Sequence, residues 1–451
     1  MALWTMGSEV YGGAWSTEAV RSLFTDKHRI GRWLEILAVL AKCQAAYGLI
    51  PESAAAEIEH VCRSIEVNRA ILEQLRLDYE ATSHSTYGLI RLVKDRCGIE
   101  AGEWIYFGAT VQDIADTWMM LVLKDARKLI ADDLNRLILG LEALCRTHRE
   151  TVMPGRTHGQ QGLPITFGFK AASWLAEARR QKRRLEIFAG HGEVGQLGGA
   201  VGSLTGQGTA ALDIQAMFCA ELGLRVPDMS WTASRDLVLE WANTITNLAG
   251  TADRICREIY HLQRTEIDEA REGFVPGTIG SITMPHKRNP EISEHVGTLA
   301  RVVRANAAIL AEGSAHEHER DGRSWKAEWH AIPEITMAGA KAVQLVADLI
   351  GNLQVDAGRM RRNLESSQGF VYSEAVMMRL AGKIGRATAH RVVYDIAMQA
   401  REGNLPFREA LLNSETVMSH LTPEEIGELF DPMTHVGSCM ALVDRALKDV
   451  P

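Results

Sequence analysis

The stretch Gly280-Ser-Ile-Thr-Met-Pro-His-Lys-Arg-Asn-Pro290 places a small hydroxyl, a lysine and an asparagine within nine residues. Glycines in and just before the stretch allow a loop to bend, close over a ligand and exclude water. A serine hydroxyl is a weak base unless its alkoxide is stabilised, so Ser281 needs a favourable neighbour. Lys287 supplies a positive charge near a bound anion, and Asn289 supplies a directional donor. The stretch therefore predicts a mobile loop that carries a base to an anionic ligand.

The same stretch resembles the signature loop of the fumarase/aspartase superfamily, whose usual form is Gly-Ser-Ser-x-Met-Pro-x-Lys-x-Asn-Pro. This resemblance implies that Ser281 is the catalytic base and that Lys287 stabilises the charge that forms. It also implies substrate contacts from Asn289 and Thr283. The second serine of the usual pair is Ile282 here, which removes a hydroxyl and adds apolar bulk beside the substrate.

The bulk composition is that of an ordinary soluble protein and argues against several classes of partner. The chain has 451 residues, of which 46% are hydrophobic and 24% charged, and its formal net charge is −8. This charge argues against nucleic acid or an anionic membrane as a partner, and no apolar run is long enough to span a bilayer. Seven scattered cysteines without a Cys-x-x-Cys pair indicate reduced thiols in a cytoplasmic protein without a structural zinc site.

Long helices dominate the predicted fold. No proline occurs between Pro51 and Pro154, and the segment 114–150 contains a single glycine, Gly140. Apolar residues recur along this segment at spacings of four and three, which marks one helix face, at Ile130, Leu134, Leu137, Leu141 and Leu144. Two further long helices are predicted, over 236–272 and 291–312. Strand signals are sparse, so the sequence predicts an all-α protein built around a bundle of long helices.

The helical pattern divides the chain into three predicted domains. Residues 1–108 contain shorter amphipathic helices, such as 26–47, and form an N-terminal helical domain. Residues 109–354 form a central long-helix bundle, and residues 355–451 form a C-terminal helical domain of shorter helices. The superfamily resemblance implies, in addition, a homotetramer whose four central bundles form a common core and whose active sites each draw on three subunits.

A second motif, Gly-Arg-Thr-His at residues 155–158, carries the candidate acid. Flanking glycines and prolines place Thr157 and His158 in a turn ahead of a helix that begins near Thr166. A surface or capping histidine is the simpler interpretation of this residue alone. The motif resembles a segment of the adenylosuccinate lyases, which implies that Thr157 contacts the substrate and His158 donates a proton to the leaving group. Glu294 would pair with this histidine and raise its pKa, although a solvated helix charge is an equally good interpretation from the residue alone.

Two motifs in the first third of the chain are candidates for binding the substrate carboxylates. Residues 107–117 resemble the family form Gly-x-Thr-Ser-x-Asp-x-x-Asp-Thr at a helix start, where free N–H groups attract anions. The resemblance implies that Thr110 binds a carboxylate, while Val111 replaces the usual serine and removes one donor. Ser83 and His84 belong to Ala-Thr-Ser-His-Ser, which resembles a family segment and makes them candidate ligands. A helix N-cap is an equally good interpretation of this pair.

An arginine and a glycine-rich run complete the set of candidates. Arg235, in Ser-Trp-Thr-Ala-Ser-Arg-Asp, could hold a substrate carboxylate in a bidentate pair. A structural ion pair is the alternative, which the residue alone slightly favours. The glycine-rich run at 196–205 lacks a strand–turn–helix context, so it does not predict a nucleotide site, and family members have a similar turn that lines the site. We predict neither a cofactor nor a metal.

The resemblance covers nearly the whole chain and divides between adenylosuccinate lyases and the 3-carboxy-cis,cis-muconate cycloisomerase group, with nitrosuccinate lyases among its relatives. Adenylosuccinate lyases generally have serine and arginine near the nucleotide phosphate where this chain has Trp325 and Trp329, and glutamine where it has Trp231. An indole has one donor and no charge, so it cannot replace the serine and the arginine as ligands of a phosphate. Together with Val111 and Ile282, these differences predict a smaller or less charged leaving group than AMP.

The sequence therefore predicts a cofactor-free lyase that acts on a small dicarboxylate. It would eliminate a nitrogen- or oxygen-linked group from a substituted succinate and release fumarate, with Ser281 as base and His158 as acid. Three alternatives stay open at this stage. They are a 3-carboxy-cis,cis-muconate cycloisomerase, an adenylosuccinate lyase and a catalytically silent protein that keeps the scaffold.

Overall fold

Helices make up most of the structure, a computed structural model that describes residues 6–274, 277, 283–284 and 286–448. The longest helices in this part of the chain are Val111–Thr147, Phe167–His191, Asp236–Leu262, Glu291–Glu312 and Gly322–Gly351. The prediction of an all-α protein is confirmed. Among the helices that the structure describes, none is long and apolar enough to cross a membrane.

Contacts between residues divide the chain into two compact units. Unit 1 contains three segments, Met1–Leu134, Gln181–Ala252 and Val296–Gln344. Unit 2 contains the remaining three, Asn135–Arg180, Asp253–His295 and Leu345–Pro451. Each of the five longest helices contributes residues to both units, and the three domains proposed from the sequence stay a prediction.

The rest of unit 1 consists of shorter helices. In chain order these are Gly12–Trp15, Glu18–Leu23, Asp26–Ala46, Glu52–Ser64, Arg69–Thr82, Tyr87–Lys94, Ile99–Gly102, the 3₁₀ helix Thr205–Ala210 and Ala211–Glu221. Side-chain caps define where several of them begin. The hydroxyl of Thr25 accepts a hydrogen bond from the His28 N–H, and the amide oxygen of Asn68 accepts one from the Ile71 N–H.

Unit 2 combines short helices with two small antiparallel sheets. Its shorter helices are Ala357–Glu365, Ser373–Ile384, Arg386–Glu402, Phe407–Leu412, Glu415–Met418, Pro423–Glu428 and Cys439–Leu447, with 3₁₀ helices at Phe370–Tyr372 and Pro432–His435. Strand Val152–Thr157 pairs with Gln160–Thr166, and Ala270–Arg271 pairs with Gln354–Val355. The C-terminal helices pack on a buried cluster that includes Val376, Leu380, Phe407, Leu411 and Ile426.

The long helices agree with the sequence predictions to different degrees. The helix predicted over 114–150 runs from Val111 to Thr147, and the one predicted over 291–312 has those bounds. Four of the five predicted stripe residues on the first helix are at most 2% exposed, namely Ile130, Leu134, Leu137 and Leu141. The helix predicted over 236–272 ends at Leu262, ten residues early. The residues that follow form a turn and a short strand, which periodicity in the preceding helix could not reveal.

Candidate active site

The candidate acid lies at the tip of a β-hairpin. Thr157 pairs with Gln160, and between them His158 and Gly159 form a two-residue turn with φ angles of 52° and 76°. Two positive φ angles are typical of a type I′ turn, and a histidine in this conformation is uncommon. Both Thr157 and His158 are exposed, and the His158 ring makes no hydrogen bond to any residue that the structure describes. The predicted turn is therefore present, and it belongs to a hairpin that the sequence did not predict.

The signature loop supplies the other candidates of unit 2. Ser281, the predicted base, lies outside the described residues. Thr283 and Lys287 are exposed, and the Asn289 side-chain nitrogen lies 3.4 Å from a carboxylate oxygen of Glu291. Glu294 is exposed in the first turn of the helix that follows. The described loop residues thus present an ammonium group and an amide to solvent.

Glu272 fixes the two ends of this loop to each other. Its carboxylate accepts hydrogen bonds from the N–H groups of Ile292 and Ser293, at 3.1 and 2.8 Å, and from the Ser293 hydroxyl at 2.7 Å. A carboxylate at this position satisfies otherwise unpaired donors of a helix N-terminus and is stabilised by the helix dipole. Gln263 also joins the two ends, because it accepts from the Glu272 N–H and donates to the Arg288 carbonyl.

Thr110 and the glycine-rich turn lie at the start of the helix Val111–Thr147. Thr110 is partly buried immediately before this helix. The carboxylate of Asp113 accepts N–H groups from Thr110, Gly198 and Gly199 at 2.9, 2.8 and 3.0 Å. The glycine-rich turn therefore directs the N–H groups of Gly198 and Gly199 to a protein carboxylate rather than to a phosphate. Burial raises the pKa of Asp113 to about 7, although the three N–H donors oppose this shift.

Ser83 and His84 follow the end of a helix. Ser83 terminates the helix Arg69–Thr82 in a left-handed conformation with φ 54°, and its N–H donates to the Tyr79 carbonyl at 2.7 Å. The N-cap interpretation of this pair is therefore wrong, because the residues lie at a C-terminus. Both side chains are exposed, and the His84 Nδ1 lies 3.5 Å from the Thr86 hydroxyl.

Arg235 forms a buried structural ion pair. Its side chain contacts both oxygens of Glu328 and both oxygens of Asp116, and it also donates to the Trp231 carbonyl. These five hydrogen bonds occupy all five guanidinium donors. The indole of Trp325 donates to the same Asp116 carboxylate at 2.9 Å. In this arrangement Arg235 has no donor left for a substrate carboxylate, so its geometry agrees with the alternative interpretation from sequence.

Comparisons with known proteins place the chain in a family. The sequence matches the family described as Lyase over residues 14–305 and the family described as Adenylosuccinate lyase C-terminus over residues 369–446. It is 36% identical over 437 residues, covering 97% of this chain and 95% of the relative, to an N-acetyl-S-(2-succino)cysteine lyase of Dickeya dadantii. The chain belongs to the fumarase/aspartase superfamily.

Two further relatives support the assignment to this lyase superfamily. A 3-carboxy-cis,cis-muconate cycloisomerase of Bradyrhizobium diazoefficiens is 35% identical over 438 residues, which cover 96% of each chain. The crystal structure of a fumarate lyase from Mesorhizobium sp. BNC1 has a TM-score of 0.90 and 35% identity, and the match covers 98% of this chain and 100% of that chain. This lyase therefore belongs to the branch that includes adenylosuccinate lyases, as the motifs indicated.

Sequence reasoning missed the ion pair that holds the hairpin of this lyase. Arg156 donates to both oxygens of Glu269, at 2.8 and 2.6 Å, and the Glu269 side chain is fully buried. Asn363 adds a third hydrogen bond to that carboxylate at 2.8 Å. This ion pair holds the strand Val152–Thr157 in place at Arg156, the residue immediately before Thr157. The Gly-Arg-Thr-His motif gave a signal for Arg156, but nothing in the sequence identified Glu269 as its partner.

Proposed function

We propose that this lyase catalyses β-elimination from a 2-substituted succinate and releases fumarate. The alkoxide of Ser281 takes a proton from the carbon beside one carboxylate, and the electrons of that C–H bond form the new double bond. The bond to the leaving atom breaks and its electron pair moves to that atom, which His158 protonates. The products are fumarate and the protonated leaving group, so atoms and charges balance without a cofactor.

Stabilisation of the developing charge is the main task that we assign to the loop. Proton removal shifts negative charge onto the adjacent carboxylate as an aci form. Lys287 and Asn289 bind that group, while Thr283 and Thr110 contribute further substrate contacts. Thr157, Ser83 and His84 are proposed contacts at the same substrate, and Glu294 orients the histidine. Fixed donors of this kind commonly contribute the largest share of catalysis.

The observation that carries this proposal is the exposed imidazole of His158. A general acid must reach the leaving atom, and this ring has no hydrogen-bond partner in the described part of the chain. The hairpin that bears it is held by the buried Arg156–Glu269 pair. A ligand can therefore meet the ring without breaking an existing contact. Arg235, by contrast, is proposed as a structural residue of this lyase.

A sulfur-linked leaving group is the best-supported choice within this class. The Dickeya dadantii relative is named for a thioether of succinate, whereas the sequence alone favoured nitrogen or oxygen as the leaving atom. A thiolate is a better leaving group than an alkoxide because a thiol is the stronger acid. We therefore infer that S-(2-succino) thioethers are substrates, and N-acetyl-S-(2-succino)cysteine is the first compound to test.

We also propose that the lyase is a homotetramer with active sites shared among three subunits, as the superfamily resemblance implies. Large exposed apolar side chains on two of the long helices are compatible with association. Leu139 is 65% exposed and Ile187 is 58% exposed. In the proposed tetramer, neighbouring subunits would cover these side chains. Sedimentation equilibrium of the purified chain would give the mass of a tetramer, and a monomeric mass would refute this part of the proposal.

A panel of substituted succinates tests the elimination. Sulfur-, nitrogen- and oxygen-linked succinates are incubated with the enzyme, and fumarate is quantified by chromatography. We expect fumarate and the free leaving group in equal amounts from at least one compound, with the thioether fastest. If no compound releases fumarate, the proposed function is wrong.

The cycloisomerase remains a second candidate because a relative of that name is 35% identical across the chain. It would use the same side chains for addition of a carboxylate to a muconate double bond. Feeding 3-carboxy-cis,cis-muconate and analysing the product for lactone separates the two functions. Lactone formation without any fumarate from the panel would favour the cycloisomerase.

A further inference from the structure

A short segment of unit 2, residues 269–272, contacts both groups of candidate catalytic residues in that unit. We call this segment the brace. Its two middle residues form the strand Ala270–Arg271, which pairs with Gln354–Val355. The main-chain carbonyl of Glu269 also accepts a hydrogen bond from the Asp356 N–H at 3.0 Å. Main-chain hydrogen bonds therefore hold the brace in place, and the carboxylates at its two ends are left to hold other parts of the unit.

The first residue of the brace holds the hairpin that carries His158. Arg156, two residues before His158, donates to both oxygens of Glu269 at 2.8 and 2.6 Å. The side-chain amide of Asn363 donates to the same carboxylate at 2.8 Å. The main-chain carbonyl of Asn363 accepts a hydrogen bond from the side chain of Gln161 at 3.0 Å, and Gln161 lies three residues after His158. The hairpin is thus anchored on both of its strands, close to the turn.

The last residue of the brace holds the two ends of the signature loop. The Glu272 carboxylate accepts the N–H groups of Ile292 and Ser293 in the first turn of the helix that follows the loop. A second contact joins the same two ends, because the Arg288 guanidinium lies 4.3 Å from the ring of Phe274. The described ends of the loop are therefore held together beside the brace.

Both carboxylates of the brace act through the residues that they hold. The Glu269 side chain is fully buried, and both oxygens of the half-buried Glu272 already accept hydrogen bonds from the helix. On one side the brace reaches His158, and on the other it reaches Lys287 and Asn289. A shift of about 1 Å in a catalytic group can lower the rate about 100-fold, so support of this kind matters for catalysis.

We propose that Glu269 and Glu272 are positioning residues with separate tasks. Glu269 orients the acid His158, and Glu272 orients Lys287 and Asn289, which stabilise the charge on the succinate carboxylate. The inference rests on the proposed elimination. Protonation of the leaving atom matters most when the leaving group is a weak acid, whereas stabilisation of the carboxylate is needed with every leaving group. The two tasks therefore predict different dependences on the leaving group.

Two succinate thioethers separate these tasks in the full-length enzyme. One releases an alkyl thiol and the other an aryl thiol, which is the stronger acid and leaves readily as a thiolate. Glu269→Gln should lower kcat/KM about 100-fold for the alkyl compound and less than about 5-fold for the aryl compound. Glu272→Gln should lower both values by a similar factor, of about 10 to 100.

A milder variant and a matched control accompany these two substitutions. Gln161→Ala keeps the buried Arg156–Glu269 pair and removes only the hydrogen bond to Asn363, so it tests the hairpin even if Glu269→Gln does not fold. It should lower kcat/KM about 3- to 10-fold, for the alkyl compound alone. The control, Glu266→Gln, changes a carboxylate three residues before the brace that is 75% exposed. This variant should turn over both compounds at the wild-type rate.

Three kinetic results would overturn the assignment. Equal losses for the two thioethers in Gln161→Ala, or in a folded Glu269→Gln, would separate Glu269 from the acid. A loss confined to the alkyl compound in Glu272→Gln would separate Glu272 from the loop. A loss in Glu266→Gln as large as in the other variants would show a general effect of this segment.

Hydrogen exchange measured by mass spectrometry tests the same division without turnover. Glu269→Gln and Gln161→Ala should raise exchange at least about 10-fold in peptides that cover 152–166 and leave 286–293 unchanged, and Glu272→Gln should do the reverse. This pattern without fumarate release from any succinate would support the structural division and refute elimination. Fumarate release with one exchange pattern in all variants would support elimination and overturn the separate tasks.

Discussion

Two arginines of unit 1 lie over tryptophan rings in a similar way but differ in everything else that they contact. The Arg235 guanidinium is 4.8 Å from the Trp231 ring, and the Arg29 guanidinium is 4.6 Å from the Trp118 ring. Arg235 has two carboxylate partners and five hydrogen bonds, whereas Arg29 has neither among the described residues. The difference supports a structural role for Arg235 and assigns no such ion-pair role to Arg29.

The comparison also bears on the two interpretations of Arg235 from sequence. Arg235 lies in a recognisable motif, where a contact with a substrate carboxylate and a structural ion pair were both open, whereas Arg29 lies in an ordinary amphipathic helix without a motif. A motif marks a residue that matters without showing which partner it has. Only the three-dimensional arrangement shows that Asp116 and Glu328 use all the donors of Arg235.

Removing Arg235 should have the largest effect on stability. Arg235→Met leaves Asp116 and Glu328 buried without a positive partner, and we expect the free energy of unfolding to fall by about 3–5 kcal/mol. Urea denaturation followed by circular dichroism measures this change. The control is Arg32→Met, which disrupts a partly exposed ion pair and should cost less than about 1 kcal/mol. Equal effects of the two substitutions would contradict the scaffold role of Arg235.

Removing the indole donor of Trp325 should have a smaller effect. Trp325→Phe keeps most of the apolar contact but takes away the hydrogen bond to Asp116. We expect a loss of about 1–3 kcal/mol, because one acceptor becomes less well satisfied and the smaller ring leaves a gap. Trp329→Phe is the matched control, since this more exposed ring makes no hydrogen bond to any described residue. A neutral Trp325→Phe would show that the cluster does not need this donor.

Removing Arg29 should leave stability nearly unchanged. Arg29→Gln deletes a partly buried charge that has no counterion in the described structure, so little favourable interaction is lost. We expect the free energy of unfolding to change by less than about 1 kcal/mol in either direction. The same urea experiment measures it. A loss as large as that of Arg235→Met would reveal a structural role and remove the contrast between the two arginines.

The smallest effect concerns the pH dependence of the Arg235 cluster. The His316 side chain is buried there, with its Nε2 4.0 Å from Glu328, and burial followed by the charge of Arg235 lowers its pKa. Asp321 and Asp116 oppose this shift. A histidine with a lowered pKa contributes stability above its unfolded pKa of about 6.5, and this stability is lost as the pH falls below that value.

The substitution His316→Gln tests whether His316 makes the protein less stable as the pH falls. Unfolding of the wild type and the variant is compared between pH 7.5 and 5.5. The wild type should lose more stability over this interval, by a few tenths to about 1 kcal/mol. His28 and His148, whose pKa values burial also lowers, remain in the variant and leave part of the dependence in place. Identical pH profiles would contradict this assignment.

The sequence predicted the long helices well because their signal is repetitive. The stripe from Ile130 to Leu141 is buried as predicted, and the helix at 291–312 has the predicted bounds. The hairpin around His158 was predicted only as a turn, since its strands contain prolines and glycines that weaken a strand pattern. The helix predicted to reach 272 ends at Leu262, because the residues that follow make contacts distant in sequence.

In the candidate site, too, local motifs could be predicted and contacts between residues distant in sequence could not. Motifs identified Thr157, His158 and Lys287, whose exposure the structure now describes. Partners that are distant in sequence, such as Glu269 for Arg156, have no local pattern and could not be predicted. The cavity of unit 1 that is lined by Arg29 and four tryptophans was not predicted for the same reason, because these five residues come from three separate helices.

Loss of fumarate formation in Ser281→Ala is the most direct test of the proposed elimination. The substrate is the best compound of the succinate panel, and Thr283→Ala is the control that removes a hydroxyl two residues away. The account predicts that kcat falls at least about 1000-fold in Ser281→Ala and less than about 10-fold in Thr283→Ala, since a general base contributes most of that factor. Fumarate formation by folded Ser281→Ala at close to the wild-type rate would contradict it.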